Sequence, residues 1–250
     1  AALLAAQLGD VARQLVDGLL LEPAARNTAA ACTAAALWAE RLFGPDQVLW
    51  ICAADHVIND VAALYDALDA AMAAARDERL VTFGISPTHP EPGFGYIQVG
   101  SPLDDQPGVH DVAAFVEKPS RARAEAMLAA GGHLWNSGMF VFRAGTLLEE
   151  MAVHAPEILA ATREAVANAT GTPLAFGGAY GAIPSAPIDK AVVEVSERVA
   201  VVPCDPGWSD VGSWRAVWES RPHDTLDNAT AGDVRLQESR GCLVLGQERL

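Results

Sequence analysis

Gln47-Val48-Leu49-Trp50-Ile51-Cys52-Ala53, followed at once by Ala54-Asp55-His56, is the stretch on which the fold turns. It is an apolar run of strand length bounded by turn signals, which reads as a buried strand of a parallel sheet. After it, Asp60 opens a long helix with Ala, Leu and Met on its inner face, and Leu80-Val81-Thr82-Phe83-Gly84-Ile85 reads as another buried strand. Before it, Gly18 to Glu22 is a short apolar strand ending at Pro23. Asn27 or Thr28 can cap the alanine-rich helix that follows, which runs to about Phe43 and stops at Gly44-Pro45. This alternation of strand and helix predicts an α/β fold with parallel strands and right-handed crossovers.

The texture changes after Pro87. Gly93 to Val99, Val109 to Val116 and Met139 to Arg143 read as shorter strands, with a helix from about Ser120 to Ala130 between them. Two or three helices follow, through Ala169 and again from Ile188 to Ser196. Arg198 to Pro203 is a strand and Ser213 to Glu219 a helix. From Gly232 onward short alternating runs, Asp233 to Leu236 and Cys242 to Leu245, read as the start of a β-rich appendage. The expected organisation is one domain over 1–222 and the beginning of a β-rich segment over 223–250.

With 51% hydrophobic and 20% charged residues, the 250-residue chain has an ordinary globular composition. A formal charge of −15 argues against nucleic acid or an anionic membrane as partner. It does not exclude a nucleotide, because local cations and a metal ion override the global field. The four cysteines form no C-x-x-C pair and read as reduced structural thiols of a cytoplasmic protein. No apolar run reaches membrane-spanning length, and no signal-peptide pattern is present. A Rossmann oxidoreductase is disfavoured, since no G-x-G-x-x-G opens a helix.

Several polar groups sit at strand ends or tight turns, where an open α/β sheet presents ligand-binding side chains. Asp55 can hold Mg²⁺, which takes one or two carboxylates and leaves room for substrate phosphates; a turn or cap role is the alternative. Asp210, in Gly207-Trp208-Ser209-Asp210-Val211-Gly212, could complete such a site or cap the helix after it. Glu117 suits a pair of sugar hydroxyls and Lys118 an isolated phosphate, against the alternative of a surface ion pair. Asn136, between Trp135 and Ser137, is an amide in apolar surroundings that needs partners from a ligand or a turn. The segment Glu22 to Ala29 joins a strand to a helix start, where N–H groups favour anions.

Taken in order, Glu22-Pro23-Ala24-Ala25-Arg26-Asn27-Thr28-Ala29, Ala54-Asp55-His56, Gly93-Phe94-Gly95-Tyr96-Ile97, Phe115-Val116-Glu117-Lys118-Pro119, Leu134-Trp135-Asn136-Ser137-Gly138-Met139-Phe140 and Gly207 to Trp214 resemble the sugar-nucleotide pyrophosphorylases, most closely the mannose-1-phosphate guanylyltransferase branch. The resemblance covers nearly all of the first 222 residues. It implies a Rossmann-like nucleotide-diphospho-sugar transferase fold with a mixed, mostly parallel sheet. It also implies GTP and mannose 1-phosphate as substrates and Mg²⁺ as cofactor; a homo-oligomer is compatible with it. By resemblance Asp55 and Asp210 are the metal ligands and Lys118 seats the attacking phosphate. Gly95, Glu117, Asn136 and Asp189 meet the sugar, and Glu22, Arg26 and Asn27 lie beside the nucleotide. The chain departs from the family pattern at Phe94, Ala30, Pro187 and Lys190, which leaves Asp189 divided between a sugar contact and a helix cap.

The family opens with a G-x-G-x-R-x-x-P phosphate loop, and these 250 residues contain none. The chain starts at Ala1 in a helix-like pattern, read as the tail of a helix over residues 1–8. The expectation is therefore a family member missing its first βαβ portion. Losing a cation of that loop would remove about 10³ to 10⁵ in rate by analogy with arginine fingers. Losing a central strand would leave a gap in the sheet, at roughly 1–3 kcal/mol per buried backbone group left unsatisfied. The 250 residues alone are thus expected to fold poorly and to have little or no activity. A regulatory homologue that binds without turnover, and a guanylyltransferase for another sugar phosphate, are the alternatives.

Overall fold

The computed structural model describes residues 18–170 and 174–246; the helix expected over residues 1–8 lies outside them. The chain divides into two compact units, one of residues 18–52 with Asp66–Cys204, the other of Ala53–Tyr65 with residues 205–246. In the first unit the short strand β1 (Leu20–Leu21) leads to helix α1 (Asn27–Phe43) and strand β2 (Val48–Ile51). Strand β3 (Val57–Ile58) belongs to the second unit, as does the start of helix α2 (Val61–Arg76). The first unit resumes with β4 (Leu80–Ile85), β5 (Tyr96–Pro102), β6 (His110–Val116), α3 (Arg121–Ala130) and β7 (His133–Arg143). It ends with α4 (Ala144–His154), α5 (Pro156–Ala167), β8 (Leu174–Ala175), a 3₁₀ helix Gly178–Ala182, a π-helical turn Asp189–Val193 and β9 (Val199–Cys204).

The main sheet of the first unit has six strands in the order β2-β7-β4-β9-β6-β5, with β7 also reaching β5. β2, β4, β5 and β9 run one way, and β6 and β7 run against them. The crossover through α2 does join the parallel strands β2 and β4. They are not neighbours, because antiparallel β7 lies between them. Every residue of β4 is buried, as expected of an apolar strand flanked on both sides. β2 is only half-buried, a correction to the expected buried strand, because it ends the sheet and among the described residues pairs with β7 alone. Among the described residues the sheet has no gap inside it. β1 stands apart from β2 and pairs in parallel with β8.

The core lies between this sheet and α1, α4 and α5. Ala29, Ala30, Ala34 and Ala36 are buried on α1. Their small side chains let Leu147, Met151, Ile158 and Tyr180 approach the helix closely, which is the packing use of the alanine bias. Neither Asn27 nor Thr28 caps α1 as expected. Asn27 has φ 63° and accepts the neighbouring Thr28 N–H at 2.8 Å. The Ala29 N–H instead finds the Ala186 carbonyl at 3.1 Å, and the Thr28 hydroxyl accepts the Ile188 N–H at 2.8 Å. Of the helix-start N–H groups, that of Ala29 is therefore satisfied by the 186–188 segment rather than by a side-chain cap.

In the second unit β3 pairs antiparallel with β10 (Trp208–Ser209), and Asp60 caps α2 by accepting the Ala63 N–H at 3.0 Å. Ser213 caps α6 (Trp214–Glu219), accepting the Ala216 N–H at 3.1 Å. The β-rich tail is a parallel pair, β11 (Ala229–Ala231) with β12 (Leu243–Leu245). The expected strand Asp233 to Leu236 is irregular, and its place in the ladder is taken by Ala229–Ala231. Two expected strand ends also shift: β5 begins at Tyr96, and β7 begins at His133 rather than Met139. The Leu134 to Phe140 motif thus sits inside a strand, not at its edge.

Candidate functional site

In the first unit five of the expected site residues meet. Asn136 N–H donates to the Gly95 carbonyl at 2.9 Å across β7, and its side chain is buried. Asn136 Nδ2 donates to Asp189 Oδ1 at 2.7 Å. Its Oδ1 accepts from the Thr82 hydroxyl at 2.7 Å and from the Gly138 N–H at 3.3 Å. An amide offers two acceptor sites and two N–H groups, so among the described residues one N–H of Asn136 remains without a partner beyond Asp189. Asp189 receives the amide, and the turn Asp189–Val193 has no side-chain cap at Ile188 before it.

Glu117 lies at the same place. Its side chain is 6% exposed, yet Lys118 Nζ reaches Oε1 at 2.6 Å while remaining 61% exposed itself. A Cβ on Gly95 would stand 2.8 Å from Glu117 Oε2 and 3.3 Å from Asn136 Cβ. Only glycine lets the backbone come this close to the carboxylate. Burial first, and then the neighbouring Glu117 carboxylate, push the Asp189 carboxyl above the usual aspartate range; Asn136 and Lys118 pull against that shift. Two carboxylates held together away from water are poorly solvated, and hydroxyl donors on a ligand would relieve them.

Lys118 has φ 49°, in the left-handed region. That conformation costs a non-glycine residue about 1–2 kcal/mol. Strain of this kind gathers at ligand sites.

The Glu22–Asn27 segment joins the same unit. The Tyr180 hydroxyl donates to Glu22 Oε1, and burial, followed by that bond, raises the Tyr180 phenol. Arg26 Nε is buried without a hydrogen-bond partner among the described residues, and its guanidinium end faces Gly181. Cys32 on α1 is pushed up to about 12 by burial, then by the fields of Asp189 and Glu22. Both the Glu22 and the Asp189 carboxylates therefore act on this one buried thiol.

Asp55 and Asp210 lie in the second unit. The β3–β10 register sets Ser209 opposite Val57. Asp210 follows Ser209 directly, and Asp55 stands two residues before Val57. The Trp208 indole N–H donates to His56 Nδ1 at 3.1 Å, and the rings meet edge to face. Asp210 Oδ1 accepts the Gly212 N–H at 3.0 Å, which shapes the turn. Among the described residues no three His, Cys, Asp or Glu side chains gather to hold a metal. Asp55 lies two residues before β3 and Asp210 directly after β10. Such carboxylates suit Mg²⁺, which draws its other ligands from water and phosphate, rather than a closed zinc site.

Thr82, Tyr180 and the His56–Trp208 pair were not singled out from the sequence. A lone hydroxyl in an otherwise apolar strand was the one available signal for Thr82. Tyr180 and Trp208 are linked to their partners by 158 and 152 residues of chain, so no local pattern marks them.

Comparison with known proteins supplies the lineage. Residues 2–226 match the nucleotidyl transferase family. The chain is 44% identical over 242 residues to mannose-1-phosphate guanylyltransferase of Klebsiella pneumoniae, covering 95% of this chain and 51% of that protein. It is 43% identical over 239 residues to alginate biosynthesis protein AlgA of Pseudomonas aeruginosa, covering 94% and 49%. The chain therefore spans about half the length of the curated relatives it matches. Among solved structures it resembles mannose-1-phosphate geranyltransferase from Thermus thermophilus, with TM-score 0.80 and 33% identity over 94% of this chain and 68% of that one. A second, mannose-6-phosphate isomerase from Helicobacter pylori, gives TM-score 0.72 and 31% identity over 81% and 79%. This chain, with its mixed sheet and its motifs in order, belongs to the nucleotidyl transferase family.

Proposed function

We propose that the reaction this chain serves is the formation of GDP-mannose from GTP and mannose 1-phosphate, the 250 residues alone having little or no turnover. A phosphate oxygen of mannose 1-phosphate attacks the α-phosphorus of GTP, a new P–O bond forms, and the α–β bridge breaks to release pyrophosphate. Positioning and charge neutralisation supply most of the acceleration in such a transfer. Glu117 and Asp189 accept sugar hydroxyls, the remaining Asn136 N–H donates to one, and Gly95 admits the sugar close to the backbone. Lys118 holds the attacking phosphate. Glu22, Arg26 and Asn27 contact the nucleotide, Arg26 through the donor that lacks a partner among the described residues. Asp55 and Asp210 would hold Mg²⁺, which when bound neutralises charge on the phosphates. These roles fall in a domain over 1–222, with 223–250 the start of a β-rich segment.

The observation that carries this reading is the cluster of Glu117, Lys118, Asn136 and Asp189 around Gly95. A buried carboxylate pair beside a lysine whose charge stays in water fits a sugar phosphate better than an apolar ligand. The net charge of −15 disfavours nucleic acid, and no described helix is long and apolar enough to cross a membrane. A cytoplasmic enzyme, where GTP is available, and a homo-oligomer both fit the proposal. The test is to incubate the intact protein with GTP, Mg²⁺ and mannose 1-phosphate, and to follow GDP-mannose and pyrophosphate together. Product in equal amounts is expected. Preference for glucose 1-phosphate or another nucleotide, or no product, would overturn the assignment.

A further inference from the structure

The β4–β7 ladder is irregular at the pocket. Thr82 faces Phe140, whereas Gly84 faces Asn136, so two steps along β4 (82 to 84) are matched by four along β7 (140 to 136). The two extra residues make a bulge, with Gly138 at φ 72°. Bulges of this kind re-aim a side chain beside a binding site. Thr82 closes the bulge. It is fully buried, and its hydroxyl lies 2.7 Å from Asn136 Oδ1 and 3.1 Å from the Met139 carbonyl.

A hydroxyl has one hydrogen to donate, and the shorter contact is to the amide. With the Thr82 O–H and the Gly138 N–H both aimed at Oδ1, the amide can sit only one way round. Reversed, it would set N–H groups against the Gly138 N–H and a carbonyl oxygen against the Asp189 carboxylate. The Met139 carbonyl alone would satisfy the Thr82 hydroxyl, so core satisfaction does not require the Asn136 contact.

We propose that Thr82 is a positioning residue of the sugar-phosphate pocket, fixing the Asn136 amide and through it the Asp189 carboxylate for recognition of sugar hydroxyls. Thr82 touches no ligand itself, and its role in recognition rests on the pocket taking a sugar phosphate as proposed above.

The test compares Thr82→Val, which keeps the shape and loses the hydroxyl, with Thr82→Ser, which keeps the hydroxyl and loses the methyl. Two measurements are made on the intact protein: affinity for mannose 1-phosphate and for GTP, and the side-chain amide resonances of Asn136 without ligand. Thr82→Val is expected to weaken mannose 1-phosphate about tenfold, the worth of one or two hydrogen bonds, with GTP affinity held within about twofold. It should also shift or broaden the Asn136 amide pair, and Thr82→Ser should restore both readouts. An unchanged amide pair in Thr82→Val overturns the proposal, as does equal damage by both variants, which would make the methyl packing the cause. The amide readout needs no ligand. If the wild type binds no mannose 1-phosphate, the sugar reading falls and the recognition role with it, while the amide pair still reports whether Thr82 fixes Asn136.

Discussion

The two regions that carry the proposed substrate and metal roles are built in opposite ways. Asn136, Thr82, Asp189 and Glu117 in the first unit are bonded to one another or crowd one another, largely away from water, before any ligand arrives. Asp55 and Asp210 in the second unit sit beside two-residue strands and, among the described residues, have no buried network, only the Gly212 turn and the His56–Trp208 contact nearby. A sugar is recognised by shape and by many weak hydrogen bonds, so its pocket gains from being rigid beforehand. A hexahydrated ion arrives with its own ordered shell and strong charge, and asks less of the protein around it.

That contrast predicts a split between activity and stability. Asp210→Ala should lower turnover about 10³-fold, by removing several kcal/mol of charge stabilisation, while changing unfolding free energy by about 1 kcal/mol or less. Asn136→Ala should destabilise the fold by about 2–3 kcal/mol, because it leaves the Asp189 carboxylate and the Gly138 N–H short of a partner. Urea unfolding and steady-state rates on the same two variants read both sides. Equal stability losses would erase the distinction between the regions.

Gly95→Ala probes how tightly the pocket is set. The new methyl would meet Glu117 Oε2 at 2.8 Å, so the carboxylate must turn away. Mannose 1-phosphate affinity is expected to fall roughly tenfold, the loss of about one good hydrogen bond to a charged group, with Mg²⁺ dependence of the rate unchanged. A shift in Mg²⁺ dependence instead would mean that the two regions are not separable.

Much of the fold was legible because apolar runs and helix-stop signals are local. The strand Leu80 to Ile85, the helix ending at Gly44, and the helix beginning near Ser213 needed only neighbours in sequence, whereas the cap at Asn27 or Thr28 did not form. The position of β7 between β2 and β4 was not legible, since no local pattern says that an antiparallel strand will enter between two parallel ones. The site shows the same division. Glu117, Lys118 and Asn136 stand out as polar groups in apolar runs. Thr82 and Tyr180 act through partners 54 and 158 residues away and carry no local mark.

The pH dependence of stability follows from Asp189. Its folded carboxyl lies above the ordinary 3.8, chiefly through burial and then through Glu117. Between 3.8 and that raised value the folded state holds more protons than the unfolded one. Stability from this group is therefore greatest at acid pH and falls as pH rises through the window, then levels off. Asp189→Asn should remove the fall and leave the protein at least as stable near neutrality. Sugar affinity has the opposite sense, since the ionised carboxylate is the better acceptor, and in the wild type it should weaken on acidification. Urea midpoints and binding compared between acid and neutral pH test both signs, and parallel trends would exclude Asp189 as the hydroxyl acceptor.

The smallest expected effect separates the nucleotide segment from the sugar pocket. Tyr180→Phe removes the hydroxyl that holds Glu22, an exposed carboxylate that water can satisfy instead. Stability should change by about 1 kcal/mol or less, because only a partly solvated bond is lost. Glu22 would gain side-chain freedom that GTP binding must then remove, at about 1 kcal/mol, or roughly a fivefold rise in KM for GTP. KM for mannose 1-phosphate should stay put, because the Asn136–Asp189 bond does not pass through Tyr180. A matching rise in both would show that the nucleotide segment and the sugar pocket respond together. A rise for GTP alone would leave the sugar pocket self-supporting, held by the Thr82 hydroxyl and the bulge of β7.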